Sequence, residues 1–201
     1  MAISIILAHP NPGSFNHAIA QTAARTLREM GRDVILHDLY AERFDPSMTA
    51  TELNKDAALD PIIGQHCRQI TSADGIVIVH PNWWAQPPAI LKGWLDRVLR
   101  QGVAYTFGTN DKGEFGPIGL LKAAAAVVFN TSNTPADLEV KLYSDPLENL
   151  WRTCVFGFCG IRRFSRRLYS VVITSTPQQR AAWLADVERT VRDVFGAAPS
   201  R

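Results

Sequence analysis

The stretch from Ile3 to Ala18, ISIILAHPNPGSFNHA, constrains the fold more than any other part of the chain. Ile3, Ile5, Ile6 and Leu7 form a short, nearly continuous apolar run, the pattern of a central parallel strand covered on both faces. The run stops at His9. Pro10, Pro12 and Gly13 then disfavour helix, while Ser14 and Asn16 precede an apolar-periodic segment as helix caps do. The unit is therefore strand, tight loop, helix. A helix that begins just past the carboxyl end of a central strand aims unpaired N–H groups and its positive dipole end at that edge of the sheet, where an anion can sit. Taken alone, the loop is equally a phosphate cradle or a well-capped helix start.

The rest of the chain decides between them. Asp33 to Leu39 (DVILHDL), Gly75 to His80 (GIVIVH), Ala123 to Phe129 (AAAAVVF) and Leu168 to Thr174 (LYSVVIT) read as further strands. Between them lie helical patterns: Ile19 to Leu27, ended by Gly31; Pro61 to Ile70; Gln86 to Arg100; Leu147 to Phe158; and Gln178 to Phe195. Tyr40 to Asp60 reads as a long excursion, and AYTFGTNDKGEFGPIG as a glycine-rich connection. Strands that alternate with helices require right-handed crossovers and a parallel sheet. The expected architecture is an α/β, flavodoxin-like three-layer sandwich with a five-stranded parallel sheet of order 2-1-3-4-5. Its switch point lies between strands one and three. That order collects His9–Asn16, Pro81–Trp84 and Asn130–Asn133 at one edge, and these are the three least ordinary stretches of the chain. Their coincidence favours the cradle.

With 201 residues, 46% of them hydrophobic, the chain suits one core and a single domain over 1–201. Charged residues are 20% and the net charge is +2, which gives no global attraction to nucleic acid or an anionic membrane. Three cysteines, Cys67, Cys154 and Cys159, and no signal-peptide pattern point to a reducing, cytoplasmic setting. No apolar run reaches the roughly 20 residues that cross a bilayer, so no membrane insertion is expected.

Known phosphate motifs are absent. Neither GxGxxG nor GxxxxGK[ST] occurs, and the residues six beyond the cysteines are Ala73, Gly160 and Ser165, where a thiolate phosphatase needs arginine. His66 beside Cys67 is a lone adjacent pair, so no metal site is expected. What remains is a phosphate loop next to Trp83 and Trp84, and aromatic walls with backbone donors suit a flavin better than a sugar phosphate. Arg162, Arg163, Arg166 and Arg167 read as solvated charges beside an edge strand, and Cys159 as a buried, inert thiol.

AHPNPGSFNHA, the block HPNWWAQPPAILKGWLDRVL, AYTF followed by DKGEF, and FGFCG leading to STPQQR together resemble the NAD(P)H:quinone oxidoreductase, or DT-diaphorase, family. The resemblance implies a homodimer with one FAD or FMN per subunit, a shared active site, and ping-pong transfer of two electrons from NAD(P)H to quinones or similar acceptors. It places His9, Ser14, Phe15, Asn16 and Ala18 on the flavin phosphates and ribityl chain, and Pro81, Asn82, Trp83 and Trp84 along the ring. Asn130, Thr131, Ser132 and Asn133 would cover the ring's N1 and O2 side, where negative charge develops. Tyr143 falls where the family has an active-site histidine, and Tyr105, Phe107 and Phe158 would roof the substrate pocket from the second subunit. The chain departs from the family at Ala85, where a ring-flanking aromatic is usual, and in Asn130-Thr131-Ser132-Asn133, which replaces paired Thr and paired Gly. A flavin-binding regulatory subunit of a membrane transporter or other partner is the alternative reading.

Overall fold

The computed structural model describes residues 2–109 and 113–196. Both ends of the expected 1–201 domain, and Asp111 and Lys112 of the DKGEF segment, lie outside the described residues. Five strands, β1 (Ala2–Leu7), β2 (Asp33–Asp38), β3 (Gly75–Pro81), β6 (Ala125–Ser132) and β7 (Arg163–Ser170), form one sheet of order β2-β1-β3-β6-β7. Every pairing in it is parallel, with Ile5 opposite Leu36 and Val77, and Val77 opposite Val127.

The expected order 2-1-3-4-5 needs one correction. The glycine-rich connection contains two strands of its own, β4 (Tyr105–Thr109) and β5 (Phe115–Gly119), which pair only with each other as an antiparallel hairpin. Their glycines and the proline weaken the strand signal, which is why the stretch reads as loop.

Both faces of the sheet are covered, which is why its inner strands are largely apolar up to their carboxyl ends. Ile5, Val77 and Val127 pack with Ile19 and Leu27 of α1 (Phe15–Glu29) and Val187 and Val191 of α6 (Pro177–Phe195). Ile6, Ile78 and Val128 pack on the other side with Ile63 of α2 (Pro61–Ser72), Trp94 of α3 (Ala89–Val98) and Trp151. Trp151 belongs to a segment that starts as a short helix α5 (Pro146–Asn149) and widens into π-turns over Leu150–Gly157, not the uniform helix expected from Leu147 to Phe158. One more helix, α4 (Ala136–Tyr143), follows β6.

The last strand is shifted from the expected Leu168–Thr174. The apolar run VVI attracts a strand reading, yet β7 begins five residues earlier, pairing Arg163 with Ala125 and Ser170 with Ser132. As an edge strand it tolerates polar side chains. Its arginines are not simply solvated: the buried Arg166 guanidinium makes a bidentate pair with Asp145 at 2.8–3.0 Å, and Arg163 donates to the Asp193 carbonyl. The long excursion is tied down by Arg97, which donates to Glu52 at 3.0 and 3.1 Å, and by Arg100, which donates to the Glu52 and Asn54 carbonyls.

Candidate active site

The carboxyl ends of β1, β3 and β6 open on a cleft of about 410 Å³. Of the expected cofactor residues, His9, Ser14, Phe15, Asn16, Pro81, Asn82, Trp83, Thr131, Ser132 and Asn133 line it. Ala18 lies one turn into α1, Trp84 projects into solvent at 98% exposure, and Asn130 is fully buried beneath the cleft.

On one side of the cleft, Asn11 closes the loop by accepting from Gly13 N on its side chain and from Ser14 N on its carbonyl. Ser14, not Asn16, is the cap of α1, so the Phe15 and Asn16 amides stand at the helix start without intrahelical acceptors. Asn16 instead turns inward and donates to Thr131 Oγ1 at 2.9 Å, tying α1 to the end of β6. His9 accepts from Asn11 N on Nδ1, and burial pushes its pKa down, so the neutral ring keeps its proton on Nε2.

The opposite wall depends on His80, a fully buried residue that the sequence reading passed over as a strand end. Trp151 Nε1 and Asn130 Nδ2 both donate to His80 Nε2, at 3.0 and 2.6 Å. The ring proton therefore sits on Nδ1 and is donated to the Pro81 carbonyl at 2.8 Å. Burial, against the bond to the Pro81 carbonyl and with the Arg166 charge, holds His80 neutral, its pKa lowered to about 4. After Pro81 the chain makes a tight turn, Trp83 and Gln86 exchanging backbone hydrogen bonds of 3.0 Å in both directions. Trp84 and Ala85 at its tip have φ of 56° and 58°, the left-handed region that Asn and Gly normally fill.

Three of the four side chains from Asn130 to Asn133 are committed to the scaffold. Asn130 serves His80, Thr131 pairs with Asn16, and Ser132 Oγ donates to Glu139 at 3.1 Å. Glu139, buried on α4, also accepts from Asn82 Nδ2 at 2.8 Å, so one carboxylate joins the ends of β3 and β6. Asn133 accepts from Ile173 N on Oδ1, and its amide N–H groups have no hydrogen-bond partner among the described residues.

Gly13, Thr134, Val172, Ile173 and Arg180 complete the lining. Arg180 was hidden in an ordinary helix start. Its Nε donates to Ser175 Oγ at 2.8 Å and Nη2 to the Val172 carbonyl at 3.1 Å, while the guanidinium lies 5.8 Å from the Phe15 ring centre. The cleft thus offers a helix start, an arginine and a tryptophan in one lining. That is the donor set a phosphate-bearing planar cofactor requires, and the residues present fit a flavin.

Tyr143 ends α4 at 53% exposure and does not line the cleft. Tyr105, Phe107 and Phe158 do not line it either. They form their own cluster, with Tyr105 and Phe158 ring centres 4.8 Å apart and Phe107 stacked on Phe115 at 6.5 Å. Cys159 is buried near them, its thiol pushed up to about 11 by burial.

A second titratable cluster escaped the spacing argument because it joins three elements. His37, Glu42 and His66 place ligand-type atoms within 4.8 Å of one another. Glu42 accepts from His37 Nδ1 at 2.8 Å and meets His66 Nε2 at 3.3 Å. Burial alone would raise the Glu42 pKa, but its two imidazole partners hold it down at about 2. Trp94 Nε1 donates to His66 Nδ1 at 3.0 Å, which puts the His66 proton on Nε2, facing the carboxylate. In this arrangement both imidazoles present protons to Glu42, not the lone pairs a metal needs.

A family model for the flavodoxin-like fold matches residues 1–191. An uncharacterized NAD(P)H oxidoreductase of Haemophilus influenzae is 35% identical over 186 residues, covering 90% of this chain and 89% of that protein. NAD(P)H dehydrogenase [quinone] 1 of Rattus norvegicus is 26% identical over 219 residues, 97% of this chain and 78% of that protein. The solved structure of Smu.1420 from Streptococcus mutans, 28% identical, superposes with a TM-score of 0.83 over 96% of this chain and all of that one. The chain belongs to the flavodoxin-like fold family and, within it, to the NAD(P)H:quinone oxidoreductases, and it is an oxidoreductase.

Proposed function

We propose that the chain is a cytoplasmic, homodimeric, single-domain enzyme that binds FMN or FAD and uses NAD(P)H to reduce quinones or similar flat acceptors by two electrons in a ping-pong cycle. The observation that carries this reading is the cleft itself. It brings the start of α1, Arg180 and Trp83 to the switch point of the sheet, and its lining includes residues from each of the three stretches expected at that edge, His9–Asn16, Pro81–Trp84 and Asn130–Asn133. Three unpaired thiols suit a reducing compartment, and no helix among the described residues is long and apolar enough to cross a membrane.

When bound, the flavin supplies acceptance and donation of hydride. The protein supplies position and electrostatics. The Phe15 and Asn16 amides and Arg180 would hold the phosphate end, Pro81, Asn82 and Trp83 would wall the ring, and Asn133 with neighbouring backbone N–H groups would face developing negative charge. Tyr143 does not line the cleft of one chain, and solvent is the proposed source of the proton delivered to the acceptor. Tyr143→Phe is then expected to leave kcat unchanged, and a large loss would return the proton to Tyr143.

The purified protein is expected to be yellow or to turn so with FMN or FAD, to bleach with NADH or NADPH, and to recolour with benzoquinone. Initial rates should give parallel double-reciprocal lines. A protein that takes up neither flavin overturns the reading, and clearly converging lines overturn the shared-site cycle.

A further inference from the structure

Ser14, His17 and Asp38 form a hydrogen-bonded chain that leads from the cleft to the edge of the sheet. Ser14 Oγ lies 2.9 Å from His17 Nδ1, and His17 Nε2 lies 2.9 Å from Asp38 Oδ2. The other Asp38 oxygen accepts from the Tyr40 and Ala41 amides, both at 3.2 Å. His17 is buried, whereas Ser14 lines the cleft. Among the described residues, the charged and titratable groups that face His17 are Asp38 from β2 and His9 from the loop, the latter edge-on with ring centres 6.3 Å apart.

Proton accounting gives this chain two states. An ionised Asp38, already accepting two backbone N–H bonds, takes the proton on His17 Nε2. With His17 neutral, Nδ1 is a lone pair, and it takes the Ser14 hydroxyl proton. Ser14 then turns only lone pairs toward the cleft, which repel an anion. With His17 as imidazolium, Nδ1–H donates to Ser14 Oγ, and the hydroxyl proton is released toward the cleft. Asp38 balances the charge in that state. Ser14 is therefore an anion donor only when His17 carries its second proton. His9, which burial shifts toward its neutral form, lines the same cleft.

We propose that His17 is a positioning residue that couples proton uptake to phosphate binding: the cofactor phosphate is held by Ser14 in the form where His17 is imidazolium, with Asp38 as its counter-ion. The proposal rests on the flavin reading given above. Linkage then requires the phosphate to bind with uptake of up to one proton, so affinity falls by at most tenfold per pH unit once His17 must be charged by binding.

The test is the dissociation constant of FMN, read by flavin fluorescence from about pH 7 to about pH 9, where the phosphate, with its second pKa near 6, stays dianionic. Riboflavin, which lacks the phosphate, is the control. Wild type should lose FMN affinity with rising pH while riboflavin affinity stays level. His17→Asn carries a permanent N–H in place of Nδ1, so it should bind FMN with no pH slope. FMN binding that is flat with pH in wild type, or equally sloped in His17→Asn, overturns the proposal and leaves the flavin reading standing. Failure to bind either flavin at any pH overturns both. Should His17→Asn not fold, ¹⁵N spectra of wild type decide: at fixed pH the His17 nitrogens must move toward the imidazolium position when FMN is added, and unmoved signals reject the coupling.

Discussion

His80 shows how one buried side chain sets both geometry and pH response. It is neutral in the fold, its pKa lowered to about 4, whereas an unfolded histidine titrates near 6.5. Below about pH 6.5 the unfolded chain gains a proton that the folded chain refuses, so stability falls from there to about pH 4, by roughly 3 kcal/mol for this group. Glu42 adds a second loss, but only as pH falls from about 4.5 to about 2, because its carboxylate is stabilised in the fold. Urea midpoints at pH 7, 5.5 and 4.5 should decline before Glu42 contributes, and His80→Gln should flatten that limb. Asn16 makes a different demand. Asn16→Leu removes the bond to Thr131 and leaves a buried hydroxyl unpaired, which costs about 1–3 kcal/mol and should loosen flavin together with the fold. A thermal melt and a flavin titration of the same variant check both. At this scale the sequence was legible where a residue's neighbours in the chain define its role, as for Ser14 at a helix start. It was silent on Glu139 and His80, whose partners come from distant elements, and on Arg180, which only the fold brings to the cleft.

Among the elements, the turn after β3 stores strain. Trp84 and Ala85 both occupy left-handed backbone, a cost of about 1–2 kcal/mol per residue for an L side chain. The hydrogen-bonded ends of the turn, and the His80 and Glu139 networks behind it, hold that geometry. Ala85→Gly should therefore raise the urea midpoint by the equivalent of about 1 kcal/mol. An unchanged or lower midpoint would show that the turn is not strained. The closeness of α3 to the excursion follows a related rule: a Cβ at Gly93 would run into Pro46, so α3 approaches the loop through a glycine. Inner strands and long helices were readable because their periodicity is imposed by burial on two faces or one. The edge strand β7 and the β4–β5 hairpin were misread because half-exposed, arginine- or glycine-bearing segments carry little of that periodicity.

The whole molecule carries an exposed aromatic surface apart from its cleft. Phe115, 77% exposed, stacks on Phe107, and Tyr105 and Phe158 lie behind them. In the proposed homodimer this surface supplies the aromatic roof that the cleft lacks within one chain. Sedimentation should then show a dimer, Phe115→Glu should shift it toward monomer, and quinone turnover should fall with the shift while flavin stays bound. A wild-type monomer with full activity would reject the shared site.

By itself the sequence determined the alternation of strands and helices, the parallel sheet and the three loops that must meet at its carboxyl edge. Those features follow from local periodicity, capping and the handedness of crossovers. Only the tertiary structure decided which polar atoms at that edge are free for a ligand. Asn130, Thr131 and Ser132 spend their side chains on His80, Asn16 and Glu139, while Arg180 arrives from the far end of the chain. The reason is physical: a hydrogen bond between residues 50 or 115 positions apart leaves no trace in local pattern, yet it settles where each proton points.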